Sequence, residues 1–112
     1  MKVIVLALAA SIASAAAFAE TVIVKYRGPV DLKPFVCTDT TSSFVNRVCY
    51  DKANAYVLIL LKSTWYHYCE IDAGTVDALI KADSVGRYYN ANIKGTGQDG
   101  PFDCRTHRVP KY

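Results

Sequence analysis

Beyond its first 19 residues the sequence has no long apolar run. Its most hydrophobic later stretch, "YVLILL", is far shorter than the roughly 20 residues that a membrane-spanning helix needs. Charge of one sign is also in short supply: 13 basic residues face 10 acidic ones. A balance this mild does not argue for nucleic acid or an anionic membrane as partner. There are only two histidines, His67 and His107, and neither has a serine or aspartate spaced as a catalytic partner. The carboxylates are scattered, so no pair is placed for glycoside hydrolysis. No segment repeats.

What is present begins with "MKVIVLALAASIASAAAFAE". Lys2 supplies a positive start, Val3 to Ala17 is apolar and rich in small residues, and Ala17-Phe18-Ala19 fits the small-x-small rule for cleavage before Glu20. Residues 1–19 therefore read as a signal peptide, and no cysteine near the cut provides a lipid anchor. The expected location is periplasmic or secreted, in a bacterium. Removing 19 residues leaves 93, residues 20–112, enough for one small domain that is marginal without crosslinks.

The four cysteines, Cys37, Cys49, Cys69 and Cys104, all lie in that mature part. An even count in a small exported domain reads as two disulfides. Strands are expected at Thr21–Tyr26, Phe44–Tyr50, Tyr56–Lys62 and Trp65–Ile71, where β-branched and aromatic residues cluster between turn signals. "RGPVDLKPF" reads as a loop and "TDTTSS" as a polar turn. Asp72 is placed to cap a helix through about Ala82, with Val76, Leu79 and Ile80 on one stripe. Ser84 is placed to cap a second, where Val85, Tyr88, Tyr89 and Ile93 share a face, and Gly95 fits its end. The fold class is thus α+β: a small antiparallel meander of three to four strands, then two short helices, with N- and C-terminal extensions clipped by disulfides.

Turn lengths suggest a register. With Tyr50 opposite Tyr56, and Leu61 opposite Trp65, the row Cys49, Val57, Cys69 falls on one face with Ile59, Leu61, Trp65 and His67. Tyr66 and Tyr68 then share the other face with Val48, Tyr50, Leu58 and Leu60. A middle strand holds the outer two cysteines about 10 Å apart at Cα, beyond disulfide reach. Cys49 and Cys69 should each pair with Cys37 or Cys104, in one of two connectivities between which spacing does not choose.

Three pieces in order, "SSFVNRVCYD", Tyr66-x-Tyr68 and "ADSVGRYYNANIK", resemble the KTSC domain, a short module found alone in bacteria and at the C-terminus of some lysyl-tRNA synthetases. The motif positions carried over are Tyr66, Tyr68, Ser84, Gly86, Tyr88, Tyr89, Asn90, Ile93 and Lys94. The likeness covers residues 42–94. It implies a small antiparallel sheet followed by helices. It implies no activity, and RNA binding only by association with the synthetases. The chain departs from the pattern in its signal peptide, its four cysteines and extensions, and Ile71-Asp72 in place of Val-Pro.

Several clusters carry candidate chemistry. Tyr66 and Tyr68, with Leu58 and Leu60 beside them, read as core and mainly structural, with a stacking platform as the alternative. Trp65, His67, Arg105 and Arg108 are the candidate binding surface, since Trp65 and His67 lie on the opposite face and the tail is basic at Arg105, His107, Arg108 and Lys111. His67-x-Cys69 and Cys104-x-x-His107 hold metal-ligand types, but oxidised cysteines bind no metal and attack nothing. "GTGQDG" (95–100) has the letters of a dinucleotide loop without the strand before it and the helix after it. The function expected is a non-enzymatic exported binding or accessory module with no catalytic residue, cofactor or metal, whose ligand the sequence does not identify; a protein or envelope component is the candidate partner. Two alternatives stand beside it: nucleic-acid binding, and a small metal protein or hydrolase carried by the histidines.

Overall fold

The structure, a computed structural model, describes residues 20–95 and 100–112. The expected signal peptide (1–19) and the middle of "GTGQDG" (96–99) lie outside the described residues. Six strands form one mixed sheet: β1 (Thr21–Val24), β2 (Gly28–Asp31), β3 (Val36–Asp39), β4 (Val45–Asp51), β5 (Tyr56–Leu61) and β6 (Thr64–Cys69), in the order β2-β1-β6-β5-β4-β3. Strands β3 to β6 are an antiparallel meander, and the β1–β2 hairpin joins β6 in parallel where Val24 meets Trp65. The α+β class is as expected; the strand count and the purely antiparallel sheet are not.

Strand β2 lies in the segment read as loop, β3 runs from Val36 into the first residues of the polar turn, and both are edges of the sheet. Pro29 cannot donate to a ladder, which is tolerated on an edge. In β3, Thr38 and Asp39 need only one paired neighbour. A sequence reading that weighs apolar alternation passes over such strands, because an edge buries little.

The register also differs from expectation, by one residue at each hairpin. Asp51 faces Tyr56 across a short 3₁₀ turn, and Leu61 faces Thr64 across Lys62-Ser63. Ala55 (φ 51°) and Lys62 (φ 56°) adopt the left-handed region that lets these turns close so tightly. Because side chains alternate, a one-residue slip turns a strand over. Two slips restore the third strand, so Cys49 and Cys69 still share a face while β5 is inverted. Tyr56, Leu58 and Leu60 lie on the cysteine side, opposite Cys69, His67 and Trp65. Val57, Ile59 and Leu61 lie on the tyrosine side.

Helix α1 (Ala73–Lys81) starts at Asp72, whose carboxylate accepts from the Thr75 amide at 3.0 Å and its hydroxyl at 2.7 Å. Helix α2 (Val85–Tyr88) starts at Ser84, which accepts from the Arg87 amide at 3.3 Å, and runs on as a wider π-helical turn, Tyr89–Lys94. Val76, Leu79, Val85, Tyr89 and Ile93 close over Val45, Val48, Val57 and Ile59. Gly86 allows that closure: a Cβ there would lie 2.7 Å from the Phe44 ring.

The other face is covered by different parts of the chain. Val22, Val24, Val30, Leu32 and Phe35, with Val109 from the C-terminal tail, pack on Cys49, Tyr56, Leu58 and Cys69. The disulfides are Cys37–Cys49 and Cys69–Cys104. Cys37 belongs to β3, directly opposite Cys49, and is not in a loose extension. Cys104 brings the tail to the end of β6. Among the described residues no helix is long and apolar enough to cross a membrane.

Candidate functional site

Strand β1 accompanies β6 only as far as Trp65, where the Lys25 amide donates to the Trp65 carbonyl at 2.9 Å, and then turns away. The tail meets β6 again at its other end, where the Cys69 amide donates to the Phe102 carbonyl at 2.9 Å. Between these two seams Tyr66, His67 and Tyr68 reach a cleft of about 590 Å³. Tyr26 stands at one side, Ile93 and Lys94 at another, and Asp103, Cys104 and Arg105 at the third.

The aromatic wall combines buried and open rings. Tyr26 is 85% exposed and is held at φ 70° in the β1–β2 turn, an uncommon conformation for a bulky residue. The Lys25 ammonium lies 5.5 Å from the Tyr26 ring and 5.8 Å from the Tyr66 ring, joining the two by cation–π attraction. Tyr68 reaches inward, and its hydroxyl bonds that of Tyr89. Burial, with the neighbouring Tyr89, pushes the Tyr68 phenol well above its ordinary value and keeps it neutral.

Two polar side chains of the cleft, His67 and Asp103, are held by partners. His67 Nδ1 and the Tyr56 hydroxyl are hydrogen-bonded at 2.7 Å. Burial, then the nearby Arg27 guanidinium, lowers the His67 pKa, and Asp103 only partly opposes them, so the ring is neutral at pH 7. Asp103 accepts from the Arg105 side chain and amide, which draws its pKa down to about 2. A ring nitrogen of His67 and the sulfurs of Cys69 and Cys104 lie within 4.8 Å of one another, the two sulfurs being joined.

Behind the cleft the tail is latched. Glu70, itself at φ 53°, accepts from the Arg108 amide at 2.9 Å and pairs with His107 at 3.1 Å. Arg27 donates to the Pro110 carbonyl at 2.8 Å and lies over the rings of Tyr56 and Tyr112. Tyr112 donates to the buried Asp51 carboxylate at 2.5 Å.

The four residues expected to form one surface are thus divided. His67 and Arg105 meet at the cleft. Trp65, opposite Leu60, packs into the cysteine-side core. Arg108 lies on the exposed tail, tied through its amide. His107 goes to Glu70 and is not beside the other metal-ligand types. Tyr66 and Tyr68 both line the cleft, but Tyr68 also belongs to the helix-side core. Ser84 and Gly86 have the local roles given above. Tyr88 is partly buried against the helix-side core, and Asn90 lines a polar groove with Ser42, Ser43 and Arg87. Tyr26 and Lys25 were not singled out from sequence; the only signal is an aromatic residue two before the turn glycine Gly28.

No curated protein and no solved structure matches the chain. The KTSC domain pattern matches residues 41–96, half of the chain, and takes in β4 to β6 and both helices. Its matching segment supplies the helix-side core and the inner wall of the cleft, while the outer wall comes from residues on either side of the match; the chain belongs to the KTSC domain family.

Proposed function

We propose that this protein is a non-enzymatic, exported binding module whose ligand, a ring-bearing envelope component such as a saccharide, stacks in the cleft along β6. The observation that carries the reading is the exposed Tyr26 ring, held in a strained turn and linked through Lys25 to Tyr66 across an open strand edge. Backbone strain that presents an exposed aromatic ring is characteristic of binding sites. The two disulfides are compatible with an oxidising compartment, and the N-terminal sequence agrees with export. Against catalysis, the cleft's titratable His67 and Asp103 are each held by a partner, His67 by the hydroxyl of the buried Tyr56 and Asp103 by Arg105.

Two-dimensional NMR of the mature protein, titrated with a panel of cell-envelope saccharides, tests this. Shifts should centre on Tyr26, Tyr66, His67 and Lys94. Tyr26→Ala should weaken binding about tenfold, on the scale of one lost ring stack of roughly 1–3 kcal/mol. Shifts centred on the Ser42–Asn90 groove would overturn the assignment of the site.

Nucleic acid is the second reading, favoured by the same Lys25 between two stacked-ring candidates, with Lys94 and Arg105 at the rim. Binding of a single-stranded oligonucleotide that falls steeply with salt would support it over the saccharide.

A further inference from the structure

We propose that Cys69, Cys104 and His67 form a zinc site when the Cys69–Cys104 disulfide is open, so that the chain exchanges a covalent clip for a metal clip. The proposal is independent of what the cleft binds. A His67 ring nitrogen lies within 4.8 Å of both sulfurs, and the sulfurs, joined while the bridge is closed, move apart on opening toward the roughly 3.3–3.8 Å between neighbouring ligand atoms of a tetrahedral zinc centre. Two thiolates and an imidazole are a donor set that suits Zn²⁺. His67 and Cys104 both line the cleft, which supplies an entry path and a water for the fourth position.

The site requires that the two thiols stay together once the bond between them is gone. The tail provides for this without the disulfide. Just before Cys104, the Phe102 carbonyl accepts from the Cys69 amide. After it come the Glu70 carboxylate on the Arg108 amide, Arg27 on the Pro110 carbonyl and Tyr112 on Asp51. These contacts bracket Cys104 on both sides. The other bridge, Cys37–Cys49, sits between two strands, and among the described residues no histidine or carboxylate joins it in such a group.

The chemistry balances with an external dithiol as reductant. Its thiolate attacks the Cys104 sulfur and forms a mixed disulfide, and Cys69 leaves as thiolate and takes a proton. The second thiol of the reductant then closes on the first, releasing the Cys104 thiol and leaving the reductant oxidised by two electrons. Zn²⁺ next displaces the two thiol protons, and the neutral imidazole of His67 adds without loss of a proton.

The test uses the mature protein with only Cys69–Cys104 open, separated chromatographically after partial reduction and kept anaerobic. Titration with Zn²⁺, followed by alkylation and peptide mapping, should show one ion per chain and protection of both Cys69 and Cys104. Co²⁺ in place of Zn²⁺ should give thiolate-to-cobalt absorption, and His67→Ala should weaken its binding at least tenfold. Alkylation of both thiols in the presence of excess Zn²⁺ would overturn the proposal. So would cobalt binding that His67→Ala leaves unchanged, or loss of the native amide spectrum on opening the bridge, which would show that the non-covalent latch does not hold the tail. Because wild-type protein supplies the mapping result, the conclusion survives any folding defect of the variant.

Discussion

On one face of the sheet, Leu79, Tyr89 and Ile93 cover Val48, Val57 and Ile59. On the other, Val24, Leu32, Phe35 and Val109 cover Cys49, Tyr56 and Leu58. The first cover comes from helices that directly follow β6 in the chain, and all but Phe102 of that core falls within residues 41–96. The second comes from residues 22–35 and Val109, on either side of the family match. One cover follows the strands locally and closes by apolar packing. The other is assembled from distant segments and carries both disulfides together with the Arg27, Tyr112 and Asp51 latch. The difference teaches that the family segment supplies one finished layer and leaves the opposite face of its sheet to whatever flanks it. The cleft lies on the seam between the two covers, with Tyr66 and Lys94 from one and Tyr26 and Arg105 from the other.

The strongest way to break this comparison is to open both bridges. The chain-entropy relation assigns about 4 kcal/mol to the Cys69–Cys104 loop and about 3 kcal/mol to the shorter Cys37–Cys49 loop. The loops do not overlap, so the losses should add to about 7 kcal/mol. Urea unfolding with and without reductant measures this. A loss below about 1 kcal/mol would mean that the second cover needs no crosslink.

Truncating the two cleft tyrosines separates the faces at finer grain. Tyr68→Ala should cost about 3 kcal/mol, because the ring and its Tyr89 partner belong to the helix-side core. Tyr66→Ala should cost less than half of that and weaken ligand binding instead. Equal losses of stability, read from denaturation midpoints, would place Tyr66 in the core too and remove it from the site.

The smallest effect concerns the latch and pH. Burial works to raise the Asp51 pKa, but hydrogen bonds from Tyr112 and Asn54 and from nearby amides outweigh it, and the carboxyl titrates below its ordinary value of 3.8. A carboxyl depressed in the folded state stabilises it above the unfolded-state pKa and loses that contribution as pH falls through the folded one. Tyr112→Phe should therefore cost about 1 kcal/mol at pH 7, and the gap to wild type should close as pH drops below about 4. Thermal unfolding of both proteins between pH 7 and pH 2 gives the comparison. A gap that persists at the acid end would show that the hydroxyl's contribution does not depend on an ionised Asp51 carboxylate, and no gap at pH 7 would leave Tyr112 acting through its ring packing on Phe35 and Tyr56.

Legibility from sequence varied along the chain for physical reasons. The caps at Asp72 and Ser84 were readable because a cap is a contact over three residues. Strands β4 and β5 were readable because each buries a dense apolar set, and β6 because consecutive aromatic residues follow a turn. The edge strands β2 and β3 were not, since Pro29, Thr38 and Asp39 look like turn residues until a neighbouring strand is known. The register was missed by one at both hairpins. Turn length depends on whether Ala55 and Lys62 accept a left-handed backbone, and neither residue type announces that. The cleft was half legible: His67 and Arg105 were singled out as surface, Tyr66 was read as core, and their association with Tyr26 and Lys25 depends on β1 leaving β6 after Trp65.

By itself the sequence determined the family, the α+β class, the order of the central strands and helices, and that the four cysteines make two disulfides. All of these rest on contacts between near neighbours or on composition. Only the tertiary structure decided which face of β5 meets the helices, which cysteine each strand cysteine takes, and where an open strand edge meets the tail. Those depend on segments up to 83 residues apart, such as Arg27 and Pro110, being brought together. Side-chain alternation turns a one-residue difference in a turn into the opposite face of a sheet, and no local pattern in the chain encodes that outcome.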